Sequence, residues 1–180
     1  RETKTRLCGP IGLIPAADIQ VHGIEPHVVM DRPIFAEDYD YFVELRRTGV
    51  FCAHNAAYEH NLIKDTWSFP PFAPSWRVED ERVADWGPWL DTLALARKLR
   101  PGAYSNSLEA LSYGTEMRGE IDLLAARHCP RNRSRAHCAL YDSLATAVWL
   151  MEQMNWSELE AYWTDLQGDG KRTSQGELFD

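Results

Sequence analysis

Apolar positions along this chain of 180 residues fall into short runs whose period changes. Over residues 34–47, Phe35, Tyr39, Phe42, Val43 and Leu45 lie near helical spacing and Gly49 marks a stop, which predicts a helix there. Val50 to Ala53 reads as a short buried strand and Ala56 to Lys64 as the helix that follows it. Leu90-Asp91 reads as a strand end, and Asp91 is a candidate cap for a helix from Thr92 to Arg100, closed by Pro101-Gly102. Ser105 is placed to cap a helix reaching Tyr113, and residues 120–126 read as a further turn or two. A long helix is expected over 136–154, broken by Asn155-Trp-Ser157. Ser157 and Glu160 then form a capping box for a last helix to 166. Residues 4–8 read as a strand ahead of a Pro/Gly-rich stretch. Strands alternating with helices predict an α/β layered fold.

Residues 66–89 interrupt this rhythm with Trp67, Trp76, Trp86, Trp89, several prolines and the acidic run Glu79-Asp80-Glu81. They read as a long loop or partly helical insert whose aromatics cover the sheet. Trp76 and Trp86 are also candidate platforms for unpaired bases. Residues 168–180 are polar until Leu178-Phe179 and read as a flexible tail behind a single domain over 1–167.

Composition narrows the class. Net charge is −8, which argues against a protein that coats nucleic acid non-specifically but not against an enzyme that grips a strand end. No apolar run approaches the roughly 20 residues needed to span a bilayer, and the N-terminus has no signal-peptide pattern, so a cytoplasmic protein is expected. The first residue is Arg, and upstream residues are expected. Cys8, Cys52, Cys129 and Cys138 form no CxxC; Cys52 and Cys8 read as buried small hydrophobes. The repeated pairs His128-Cys129 and His137-Cys138 invite a zinc reading, but their spacing fits no common zinc module, and free thiols are the better expectation.

The chemistry concentrates in two segments, Phe51-Cys-Ala-His-Asn-Ala-Ala-Tyr-Glu59 and His137-Cys-Ala-Leu-Tyr-Asp142. Carboxylates on separate elements with a nearby histidine suit divalent-metal binding and water activation. Ala53-His54-Asn55-Ala56-x-Tyr58-Glu59 and His137-x-Ala-x-x-Asp142-x-x-Ala-Thr resemble the second and third motifs of the DnaQ-like 3′→5′ exonucleases with a catalytic histidine (DEDDh), of the exonuclease X and epsilon-subunit type. Leu7 through His22-Gly23-Ile24, and Asp91-Thr-Leu-x-Leu-Ala-Arg97 with Pro101-Gly102 and Tyr104-Ser-Asn106, resemble two further blocks, so the likeness runs from about residue 5 to 155.

The resemblance implies a ribonuclease H-like mixed sheet flanked by helices, and two-metal phosphodiester hydrolysis with Mg²⁺ or Mn²⁺. On it, Asp142 is a metal ligand and His137 the general base, whose unperturbed pKa near neutrality suits the role. Glu59 stands where the family has Asp and is carried over as a second ligand, one methylene longer. His54 and Asn55 shape the substrate site, or Asn55 is a plain helix cap; both readings stay open. Arg131, Arg133 and Arg135 precede the last motif and are expected either to hold phosphates or to form a solvated basic loop. The family's first motif, an Asp-x-Glu pair that would supply two of four ligands, is not in this chain, and its place falls upstream of Leu7. A sheet lacking those strands is expected to expose an edge.

The tail ends Gln175-Gly-Glu-Leu178-Phe179, which resembles the Gln-x-x-Leu-Phe peptide that docks on bacterial sliding clamps, with Gly176 as a departure. The resulting expectation is a metal-dependent 3′→5′ exonuclease acting on DNA ends, with two alternatives: an RNA-trimming member, or an inactive nucleic-acid or clamp-binding module.

Overall fold

A computed structural model of the chain describes residues 3–67, 73–75, 78–112, 116–153 and 161. The architecture is mixed α/β. Helices α1 (Ala16–His22) and α2 (Pro26–Val29) precede a 3₁₀ turn at Phe35–Asp38 that runs into α3 (Tyr39–Thr48). Strand β1 (Phe51–Ala53) leads into α4 (Ala57–Thr66); β2 (Ala73–Pro74) and β3 (Arg82–Val83) follow, then β4 (Trp89–Asp91) and α5 (Thr92–Leu99). Helices α6 (Leu108–Ser112), α7 (Glu116–His128) and α8 (Ala139–Gln153) complete the described part.

β1 and β4 pair in parallel, with Phe51 opposite Trp89, Cys52 opposite Leu90 and Ala53 opposite Asp91. Parallel neighbours need a crossover, and α4 lies in it. Because the described sheet has only these two strands, Cys52 in its middle is exposed rather than buried, which corrects the reading of that residue. Cys8 and Cys129 are half-buried, Cys138 is buried, and all four are free thiols.

Two separate clusters hold the fold together. The first is aromatic: Trp67 and Trp86 are buried with Ile63 and Ala73, and Phe35, Tyr39, Phe42 and Phe51 pack on them. Phe51 of β1 stacks on Trp86 with centroids 6.0 Å apart and planes 14° apart, so Trp86 is part of the core rather than a platform for bases. Residues 73–74 and 82–83 form a small antiparallel pair where a loop or helical insert was expected; Trp76 lies outside the described residues. The second cluster is helical: Leu95 and Ala96 of α5, Leu111 of α6, Ile121 and Ala125 of α7, and Tyr141, Val148 and Trp149 of α8. The Tyr141 hydroxyl donates to Asp122 Oδ1 at 2.9 Å, fixing α8 against α7.

Several boundaries differ from expectation for local reasons. Residues 4–8 form no strand: Arg6 fastens this extended segment to the turn at 33–38 instead of to a sheet, leaving one bridge between Gly9 and Ile34. Ser107, not Ser105, caps α6, its hydroxyl accepting from Ala110 N at 3.2 Å. α7 runs 13 residues where a turn or two was expected, because Met117, Ile121 and Ala125 give it a buried stripe. The expected break at 155–157, the following helix to 166 and the boundary between 167 and 168 lie outside the described residues, except that Ala161 is helical. No helix among the described residues is long and apolar enough to cross a membrane.

Candidate active site

The carboxyl ends of β1 and β4 bring His54, Asn55, Asp91 and Thr92 together, because the parallel register sets Ala53 beside Asp91. In open α/β sheets this end of the strands is where ligands bind. Asp91 is the N-cap of α5: its Oδ1 accepts from Leu93 N at 2.8 Å and Ala94 N at 3.4 Å. The same oxygen accepts from Asn55 N at 3.0 Å, tying the end of β1 to the start of α5. Asn55 does not cap α4 with its side chain. Ala56 stands at that position without a side-chain cap, and the backbone carbonyl of Asn55 accepts from Tyr58 N.

His54 laces three segments. Its Nε2 lies 3.0 Å from the carbonyl of Asn106, an acceptor, so that nitrogen carries the proton. Nδ1 therefore accepts, and Thr92 Oγ1 lies 3.0 Å away to donate to it. Burial lowers the pKa of the imidazole, outweighing the bond to Asn106 and the charge of Asp91 that act the other way. Both ring nitrogens are thus used within the protein. Thr92 is fully buried, and its hydroxyl also lies 3.3 Å from the carbonyl of Ala53.

Glu59 sits in the first turn of α4, half-buried. Burial raises its carboxyl above the ordinary range, and the charge of Asp91 adds to the rise. Its Oε2 is buried with no hydrogen-bond partner among the described residues.

Asp142 and His137 form the other part. The helix begins at Ala139, so His137 precedes α8 rather than starting it. Its backbone is left-handed, φ 65°, and this turns its N–H onto Asp142 Oδ1 at 3.3 Å. The imidazole is exposed and makes no hydrogen bond to the described residues. Asp142 is half-buried; burial raises its carboxyl, opposed by the N–H and the charge of His137.

The three arginines separate. Arg133 lines a cleft with Arg6 and Arg32, Arg135 lies beside Gly23, and Arg131 is exposed. Gln175, Leu178 and Phe179 lie outside the described residues. Sequence reasoning gave no role to Thr92 or to the carbonyl of Asn106, although the Asp91-Thr92 and Ser105-Asn106 pairs lay inside its motif blocks.

A hard six-coordinate cation takes one or two carboxylates from protein when water and substrate phosphate supply the rest. Glu59, with its orphaned oxygen, and Asp142 fit such an ion in kind. Among the described residues no group of three or more His, Cys, Asp or Glu side chains converges on one point, and no hydrogen bond or ion pair joins Glu59 to His137 or Asp142.

Comparison with known proteins finds relatives over part of the chain. No family model matches the chain. It is 31% identical over 102 residues to DNA polymerase III subunit epsilon of Escherichia coli (strain K12), covering 57% of this chain and 39% of the relative. It is 33% identical over 109 residues to the subunit of Salmonella typhimurium, again covering 57% and 39%, and 31% identical over 102 residues to that of Buchnera aphidicola subsp. Baizongia pistaciae. The chain is a relative of these epsilon subunits. This agrees with the resemblance to the DnaQ-like exonucleases. The chain spans about two fifths of the length of the curated relatives it matches.

Proposed function

We propose that the chain is a 3′→5′ exonuclease domain of ribonuclease H-like fold, acting on DNA ends with Mg²⁺ or Mn²⁺. The observation that carries the reading is backbone geometry. Three non-glycine residues among those described have positive φ, and two of them, Asn55 and His137, belong to the motif segments. Such residues cost of order 1–3 kcal/mol each and cluster at functional sites.

Asp142 and Glu59 would hold the metal, which when bound lowers the pKa of a water and offsets charge developing on phosphate oxygens. His137 takes the proton of the attacking water. Its ring is open to solvent, and the bond from its own N–H to Asp142 keeps base and acid on one turn. The His54 strap keeps the ends of β1 and β4 rigid beneath the substrate, with Asn55 exposed beside it. Arg131 and Arg135 contact phosphates on the approach to His137. Residues 168–180 act as a tether, with Gln175, Leu178 and Phe179 docking on a sliding clamp.

The absence of a three-residue acid cluster among the described residues favours a second reading, an inactive module that binds strand ends or the clamp. One assay separates the two. The chain and its Asp142→Ala variant are incubated with 5′-labelled single-stranded DNA and Mn²⁺, with a matching RNA in parallel. A stepwise ladder lost in the variant supports the enzyme, and the preferred strand gives the sugar. A ladder of equal strength in the variant overturns the role of Asp142; no ladder from either leaves an inactive module or a chain that needs the upstream Asp-x-Glu pair, which the same assay on an upstream-extended version separates. Deleting residues 175–180 is expected to weaken clamp binding and leave hydrolysis of short oligonucleotides unchanged; unaffected clamp binding removes the tail reading.

A further inference from the structure

A cleft of about 540 Å³ opens on a part of the molecule that the roles above leave unused. Its walls come from three segments: Thr5–Leu7, the turn around Arg32, and Pro130 with Arg133. The walls are fastened. Arg6 donates to Asp38 at 2.8 Å, to the carbonyl of Pro33 at 2.8 Å and to that of Ile34 at 2.9 Å. Gly9 N donates to the carbonyl of Pro33 at 2.9 Å, and a Cβ at Gly9 would stand 2.2 Å from the carbonyl oxygen of Arg32. Only glycine lets the backbone that carries Arg32 lie this close.

The charges do not balance. Arg6 and Asp38 neutralise each other in a 2.7 Å ion pair, and Glu37 accepts from Ile34 N. The guanidiniums of Arg32 and Arg133 remain, with no hydrogen bond or ion pair to the described residues. Two unpaired guanidiniums set against one carboxylate leave a local surplus of positive charge in a chain whose net charge is −8. Guanidinium forks match phosphate oxygens in pairs, and an anion between the two removes their repulsion. Arg133 is four residues before His137, so at most about 14 Å of extended chain separates them.

We propose that Arg32 and Arg133, with the Thr5 hydroxyl, form a phosphate seat that holds a nucleic-acid strand beside the His137–Asp142 turn. The proposal rests on the nucleic-acid reading above, but not on catalysis. Its test is binding of a fluorescent single-stranded oligonucleotide in EDTA, by anisotropy across a salt series. Arg32→Ala and Arg133→Ala are each expected to weaken binding about tenfold and to reduce the salt slope by about 0.7. Arg100→Ala, an exposed arginine away from the cleft, supplies the same change of net charge. Thermal melting of each variant checks that the fold is kept.

Competition by thymidine 5′-monophosphate separates two sources of the phosphate. If the mononucleotide displaces the strand from the parent and not from the Arg variants, the seat takes a terminal phosphate; if it does not compete, the seat takes the internal backbone. Oligonucleotide binding unchanged in both variants, or weakened as much by Arg100→Ala, overturns the proposal. A loss of binding in the two variants with no hydrolysis under any metal would sink the exonuclease reading and leave the seat standing.

Discussion

His54 and His137 come from the two motif segments, and the protein treats them in opposite ways. His54 is half-buried, both its nitrogens are bonded, and burial lowers its pKa. His137 is exposed, held only through its backbone, with a ring that makes no hydrogen bond to the described residues. The difference extends to the acids beside them. Asp91 gives one oxygen to three backbone N–H groups, whereas Asp142 accepts one N–H at 3.3 Å and Glu59 keeps a buried oxygen without a partner among the described residues. A group whose bonds are filled builds framework; a group left with capacity is free to meet water, metal or substrate. On the proposed function the strand ends serve as scaffold, and the chemistry would fall to Glu59, His137 and Asp142.

The widest separation of the two histidines comes from replacing each in a hydrolysis assay. His137→Asn keeps a residue that tolerates a left-handed backbone and removes the base. It is expected to cut any metal-dependent hydrolysis by about 10²–10⁴-fold, with stability within about 0.5 kcal/mol of the parent. Rates within a factor of a few of the parent would remove His137 from the mechanism.

The framework half is read in stability instead. Thr92→Val preserves the shape of a fully buried side chain and removes the hydroxyl between His54 Nδ1 and the Ala53 carbonyl. The imidazole nitrogen is left buried without a donor, which costs about 1–3 kcal/mol. Urea denaturation is the measurement. A variant as stable as the parent would mean that the strap carries no load, and the contrast between the two histidines would lose its physical basis.

Which of this was legible in the sequence follows from range. The crossover from β1 through α4 to β4 and α5 was readable, because apolar runs, Asp91 and Pro101-Gly102 are local signals. That Glu59 lies one helical turn beyond the strand was readable for the same reason. The length of α7 was not, since its stripe of Met117, Ile121 and Ala125 has meaning only against α8 and α5. Nor was the parting of Arg131, Arg133 and Arg135, which depends on a 3₁₀ turn at Arg131–Arg133 and on Gly23 and Arg32 far away in sequence. His54 looked like a substrate contact because its motif position is local, while its partner Asn106 is 52 residues distant.

The smallest expected effect concerns protons. Glu59 has its pKa raised by burial, so the folded state binds a proton where the unfolded chain has lost it. Its contribution is fully present below the ordinary glutamate value of about 4.3 and is lost as pH rises through the raised value. His54 runs the other way: its pKa is lowered, the unfolded chain takes the proton first, and stability falls as pH drops below about 6.5. Between those two values the slopes oppose each other, so the parent's profile alone cannot assign either. Glu59→Gln isolates one of them. At neutral pH the variant is expected to be more stable than the parent, because a neutral amide replaces a partly buried charge. The advantage should shrink to nothing as pH falls below the glutamate range. A stability difference independent of pH would mean that the Glu59 carboxylate is solvated well enough to keep its ordinary pKa, and that its unpartnered oxygen holds no reserve for a cation.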